Sequence, residues 1–269
     1  MYNHNHNREQ YNTHNSLLAV VKRSELKSAS CVFTVVFIMS DRKELAVVLG
    51  MSMMLAFVYH RKQQRAWVRA RLRAKLAEIM ANRIPLPRNK LASETDDERI
   101  NLPASLGSEG RLQLGDLGTV ADLLDDGADS PRFRRHLERH PIEAVLVCMG
   151  SDAAAAVAKD FEKRKLTYLG LKGCVDEEGY PLLELHFKTS CAFIQAQLAA
   201  AAPNGCVLVH CKEGKNRSAT ICVAYLVAQE RMPLTQAVLH VWSQRPIVLD
   251  NQSFVEQLID LALAEGLAS

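Results

Sequence analysis

The sequence predicts an α/β domain: a central, mostly parallel sheet flanked by helices, preceded by an N-terminal extension with a candidate membrane anchor. Two observations carry the fold class. From about residue 107 onward, short apolar runs alternate with longer helix-competent ones, the pattern of strands joined by helical crossovers. One of those runs, Cys206–His210, leads directly into Cys211-x5-Arg217 and then a second apolar, helix-competent stretch. Such folds place their ligand sites at the carboxyl end of a central strand.

The chain of 269 residues is long enough for one ordinary domain plus an extension. Residues 1–38 read as a low-complexity, disordered segment: the start is rich in His and Asn and poor in apolar residues. Nothing fixes a metal-binding geometry for His4, His6 and His14. Residues 39–83 read as a candidate signal-anchor followed by a basic juxtamembrane helix. Two apolar runs, Ala29–Ser40 and Leu45–Tyr59, are separated by Asp41-Arg42-Lys43-Glu44. The second would be about 22 Å long as a helix, short of a bilayer core of about 30 Å, a gap that tilt and snorkelling can close. Arg61, Lys62, Arg65, Arg69, Arg71, Arg73 and Lys75 follow without an intervening acid. With Val68, Leu72 and Leu76 at helical spacing and Trp67 suited to an interface, residues 61–75 suggest a helix on an anionic membrane surface. The positive-inside bias then places the rest of the chain in the cytosol. A mitochondrial targeting role is the alternative for the Arg-rich, acid-poor stretch. Met39, followed by a short charged start and an apolar run, is a candidate for the true start of the product.

Residues 84–106, with Pro85, Pro87 and Pro103, read as a linker, and residues 107–269 as the folded domain. Within it, strands are expected at Leu112–Gly115, Ala144–Cys148, Leu166–Leu171 and Cys206–His210. Helices are expected at Thr119–Leu124, Pro131–His140, Asp152–Lys165, Leu182–Ala201, Ser218–Glu230, Leu234–Arg245 and Asn251–Ala264. Seven cysteines without regular pairs give neither a disulfide framework nor a tandem metal motif. A reactive thiol would need a reducing compartment. The net charge of +3 is nearly balanced, and no nucleic-acid partner is expected.

The stretch His210-Cys-Lys-Glu-Gly-Lys-Asn-Arg-Ser218 carries the chemistry. A short turn between strand and helix can aim its amides inward, at the positive end of the helix dipole, and so bind an anion. The same field favours the thiolate of Cys211, a competent nucleophile at phosphorus. Arg217 can grip two phosphate oxygens with its planar fork. Lys212, Glu213, Gly214, Lys215 and Asn216 complete the candidate phosphate cradle, with Gly214 allowing the tight turn. His210 is expected to support the loop by hydrogen-bonding its backbone. The Ser218 hydroxyl is expected to donate to the sulfur and ease its departure.

These residues resemble the small atypical dual-specificity protein phosphatases of the cysteine-based tyrosine phosphatase superfamily, whose loop is His-Cys-x-x-Gly-x-x-Arg-Ser. Arg111-Leu-Gln-Leu-Gly-Asp-Leu-Gly-Thr119 is similar to their opening strand and turn. Ala224-Tyr-Leu-Val is similar to the helix after their loop. Arg245-Pro-Ile-Val-Leu-Asp-Asn251, with Phe254 and Gln257-Leu258, is similar to their closing segment. The resemblance implies a single phosphatase domain acting on phospho-Tyr, phospho-Ser and phospho-Thr proteins through a cysteinyl-phosphate, with no metal or cofactor. It implies a carboxylic general acid on the loop after the third strand of the list above. Asp176 is the best match, and Glu177 stays open because the spacing to Cys211 is a residue or two long. Asn251 is implied as a support residue. Lys212 and Lys215 raise an alternative, a phosphoinositide or other phospholipid phosphatase, by charge complementarity. A phosphoprotein-binding scaffold without turnover is the third reading. Cys174 is a candidate redox partner of Cys211.

Overall fold

The computed structural model describes residues 42–81, 102–125 and 131–268. The low-complexity segment 1–38, the candidate start at Met39 and most of the 84–106 linker lie outside the described residues. The chain divides into two compact units, 1–66 and 67–269.

In the first unit the described residues are helical, the opening part of α1 (Arg42–Ala81). Ala, Leu, Met and Arg dominate it and proline is absent, so propensity favours helix along its length. Met51, Met53, Met54, Leu55, Phe57, Val58 and Tyr59 are each more than half exposed. The Arg61 guanidinium lies 4.8 Å from the Phe57 ring centre. Among the described residues, no helix is long and apolar enough to cross a membrane.

The second unit holds the sheet. Its strands are β1 (Ala104–Leu106), β2 (Leu112–Gly115), β3 (Ile142–Val147), β4 (Thr167–Gly170) and β5 (Cys206–His210). The helices are α2 (Leu117–Leu124), α3 (Pro131–Arg139), α4 (Ser151–Lys163), α5 (Leu182–Ala200), α6 (Arg217–Ala228), α7 (Leu234–Gln244) and α8 (Gln252–Glu265). The strand order is β1-β2-β5-β3-β4, parallel except for the antiparallel edge pair β1–β2. The sheet is therefore mixed but mostly parallel, with β5 at its centre.

Alternation along β3 and β5 divides the core between the two faces. Ala144, Leu146, Val207 and Val209 join a cluster with residues of α5 to α8. Val145, Val147, Cys206 and Leu208 pack with Val120, Phe133 and Phe161 of α2, α3 and α4. Period-two side chains buried on both faces read as a continuous apolar run, which is why Cys206–His210 stood out in the sequence.

Two details differ from expectation. β1 begins at Ala104, inside the segment read as linker, and was not anticipated because three residues carry too little pattern. The stripe Val68, Leu72 and Leu76 packs on the domain itself: Leu72 and Leu76 are buried and Val68 partly so. Arg69 pairs with Glu256 at 3.3 Å and with Asp260 at 2.8 Å, and Arg73 donates to Glu256 at 2.7 Å. An apolar stripe flanked by arginines suits a lipid surface, but it suits equally a protein helix that presents an apolar face beside two acids. α8 is such a helix.

Candidate active site

β5 ends at His210, paired on one side with Gly115 and on the other with Val147. Residues 211–216 then turn into α6. Each carbonyl of the turn from Lys212 to Asn216 is taken by a donor outside it. Lys212 O accepts from Leu117 N at 3.2 Å and Lys215 O from Leu249 N at 2.8 Å. Glu213 O accepts from Arg245 Nη2 at 3.0 Å and Gly214 O from Arg245 Nε at 3.1 Å. Asn216 O accepts from Thr220 N at 2.8 Å and from Thr220 Oγ1 at 2.8 Å. A trans peptide sets its N–H opposite its C=O. Five carbonyls turned out therefore turn five successive N–H groups in, at the N-terminus of a 12-residue helix. That is an anion cradle.

Gly214, at φ +63°, is required here: a Cβ would lie 2.7 Å from Gly115 O and 2.8 Å from Arg245 Nη2. Arg245 also pairs with Asp116 at 2.6 Å, both side chains being largely buried. Asp116 in turn caps α2 through the Thr119 amide. In the sequence, Arg245 and Asp116 stand only within the segments similar to the family, with no role of their own. The available signal was the Asp-x-x-Thr cap at Asp116.

Cys211 lies at the base of the turn, 1 % exposed, and the Ser218 hydroxyl donates to its sulfur at 3.1 Å. Arg217 Nη1 donates to Cys174 O at 3.4 Å. Its Nε is buried without a hydrogen bond, 3.6 Å from Asp176 Oδ2. The guanidinium thus meets Asp176 as a long ion pair rather than a hydrogen bond, and can turn its fork to a phosphate oxygen. Together with Asp176, Glu178, Lys212, Glu213, Asn216, Asp250 and Asn251, Arg217 lines a cleft of about 520 Å³.

The structure brings the Asp176 carboxylate to the cleft. Asn216 Nδ2 donates to one of its oxygens at 3.3 Å and Asn251 Nδ2 to the other at 3.3 Å. Glu177 instead offers its backbone carbonyl to Asn251 Nδ2. The loop is stapled by Tyr180, whose hydroxyl donates to Gly173 O at 2.7 Å and contacts His186 Nε2 at 2.6 Å. Lys215 pairs with Asp250 at 3.0 Å, so its charge braces the loop from outside, whereas Lys212 lines the cleft. Burial pushes the Cys174 thiol up to about 12, which keeps it protonated.

His210 is buried under the turn, with its ring against the backbone of Cys211. Burial, partly offset by the Cys211 backbone, lowers its pKa to about 4. The ring is neutral when folded and binds a proton more readily when unfolded. Its contribution to stability is therefore complete above the ordinary value of 6.5 and is lost as pH falls toward 4. Denaturant titrations at pH 5 and pH 7.5 should differ by roughly 1–2 kcal/mol from this residue, and His210→Asn should flatten that part of the profile. Arg245→Met removes one partner of a largely buried pair and strips two loop carbonyls of their donor. A stability loss of about 3 kcal/mol is expected, with loss of inorganic phosphate binding by calorimetry.

Residues 129–262 match the family model described as "Dual specificity phosphatase, catalytic domain". The chain is 47% identical over 79 residues to dual specificity protein phosphatase 1 of Arabidopsis thaliana, covering 29% of this chain and 38% of that one. It is 33% identical over 141 residues to human dual specificity protein phosphatase 26, covering 52% and 64% respectively. The chain thus spans less than two thirds of the length of these relatives. The crystal structure of human DUSP28 aligns at 25% identity with a TM-score of 0.46, covering 60% of this chain and 93% of that one. Over residues 129–262 the chain belongs to the dual specificity phosphatase family, within the cysteine-based tyrosine phosphatase superfamily.

Proposed function

We propose that this protein hydrolyses phosphate monoesters on phospho-Tyr, phospho-Ser and phospho-Thr proteins through a cysteinyl-phosphate. The observation that carries the reading is the set of outside donors that hold the five loop carbonyls, next to a Cys211 sulfur contacted by Ser218 Oγ at 3.1 Å and an Arg217 side chain that lines the cleft. The phosphoryl group binds to the amides and to Arg217, and the Cys211 thiolate attacks phosphorus. As the P–O bond breaks, Asp176 gives its proton to the leaving oxygen. Asp176, now a carboxylate, takes a proton from an attacking water. The P–S bond breaks, and the Ser218 hydroxyl stabilises the departing thiolate. Inorganic phosphate leaves, and the enzyme returns with Asp176 protonated and Cys211 as thiolate.

The cleft charges favour protein over polyphosphorylated lipid. Lys215 and Asp250 offset one another, which leaves Glu178 and Glu213 beside Lys212 and Arg217 at the cleft, with Asp176 as the proton donor. A cleft whose cations are matched by acids offers no surplus of positive charge for a headgroup with several phosphates, whereas one phosphate on a peptide needs only the cradle and Arg217. In metal-free buffer with chelator, the full chain should hydrolyse a small aryl phosphate, and Cys211→Ser should reduce the rate by on the order of 10³-fold or more. Turnover that persists in Cys211→Ser would end the cysteine mechanism. Phosphoinositides turned over faster than phosphopeptides would restore the lipid reading.

We further propose that the protein sits at an anionic membrane surface, with the catalytic domain on the cytosolic side. It is supported by the run of exposed apolar residues from Met51 to Tyr59, followed by Arg61, Lys62 and Arg65 without an acid. Arg69 and Arg73, engaged with α8, contribute little to it. The full chain should cosediment with phosphatidylserine vesicles in a salt-sensitive manner, and Met54→Asp/Phe57→Asp should lower the bound fraction at least tenfold. Equal sedimentation with and without vesicles would exclude the surface role.

A further inference from the structure

From the hydrogen bonds around Asp176 we infer that Asn216 and Asn251 form a two-sided amide clamp that positions this carboxyl as the general acid. The inference rests on the role given to Asp176 above and adds two positioning residues to it. The acid loop, residues 171–181, contains no helix or strand. Its geometry must come from partners, and the carboxyl is 28 % exposed, so solvent alone would leave it free to rotate.

Each asparagine has its amide orientation fixed by its other end. Asn216 Oδ1 accepts from the amides of Asp250 at 2.8 Å and Asn251 at 3.2 Å. An amide oxygen held by two N–H groups leaves the NH₂ pointing the other way, and that way is Asp176 Oδ2. Asn251 Oδ1 caps α8, accepting from Ser253 N at 3.1 Å, Phe254 N at 3.4 Å and Ser253 Oγ at 2.7 Å. Its NH₂ is therefore turned to Asp176 Oδ1 and to Glu177 O. One donor reaches each carboxyl oxygen from a different segment, so rotation of the carboxyl breaks a contact on both sides.

Asparagine is the residue type that this geometry needs. Serine caps a helix as well but is too short to span from the cap to the carboxyl. Aspartate would place a like charge against Asp176. Asn216 also belongs to the phosphate loop, so the clamp sets the distance between the acid and the phosphate itself.

A general acid matters most where the leaving oxygen is a poor leaving group. The test is the ratio of kcat/KM on phenyl phosphate to that on 2,4-dinitrophenyl phosphate, measured for the full chain, Asp176→Asn, Asn216→Ala and Asn251→Ser. Asn251→Ser keeps a helix cap and removes the donor. The expected result is a ratio lowered by about 10²-fold or more in Asp176→Asn and by about tenfold in each asparagine variant. Adding either asparagine substitution to Asp176→Asn should lower the ratio no further. If Asp176→Asn lowers the ratio while both asparagine variants keep the parental one, the clamp is overturned and the acid stands. If Asp176→Asn itself keeps the parental ratio, the assignment of the acid and the clamp fall together. A further drop in the double variants shows that the asparagines act elsewhere and overturns the clamp.

Discussion

The outward turn of the carbonyls from Lys212 to Asn216 is the constraint on which the site depends. A peptide unit cannot present both its dipole ends to the same pocket, so a cradle of inward amides exists only while outside donors hold the carbonyls. Those donors come from the start of α2, the end of α7, the segment before α8 and the second turn of α6. The loop is therefore not a self-contained motif. Its shape is a property of the tertiary structure, with Arg245 supplying two of the donors and Asp116 holding Arg245 in place.

α8 serves three segments at once. Its cap, Asn251, reaches the Asp176 loop. Gln257 accepts from Leu183 N at 2.9 Å and donates to Tyr180 O at 2.8 Å, fixing the junction between that loop and α5. Glu256 and Asp260 hold the arginines of α1. A helix with its apolar side in the core and its polar positions distributed in this way couples the acid loop to elements far away in sequence. The end of α1 is thereby part of the unit that holds the sheet, with Leu72 and Leu76 buried in its core.

The electrostatics of the cleft follow from pairing, not from composition. Counted along the chain, Lys212 and Lys215 look equivalent. In the fold, Lys215 meets Asp250 and Lys212 does not, because the turn sends one side chain toward the α7–α8 segment and the other toward the cleft. A count of cations in a motif therefore overstates the positive field that a substrate meets.

The sequence by itself determined the α/β class, the position of β5, and the placing of Cys211, Arg217 and Ser218 around one turn. These are local facts: apolar periodicity, and residues within eight positions of one another whose geometry a strand–turn–helix connection prescribes. The strand at Ala104–Leu106 escaped because its pairing with β2 is not written in three residues. That the Asp176 side chain meets Asn216 and Asn251 depends on contacts across 40 and 75 residues. The burial of Val68, Leu72 and Leu76 against the domain was equally hidden, since an amphipathic basic stripe has the same appearance whether lipid or α8 covers it. Only the tertiary structure decided these points. Each is a pairing between distant segments, and periodicity records which side of an element is apolar but not what meets it.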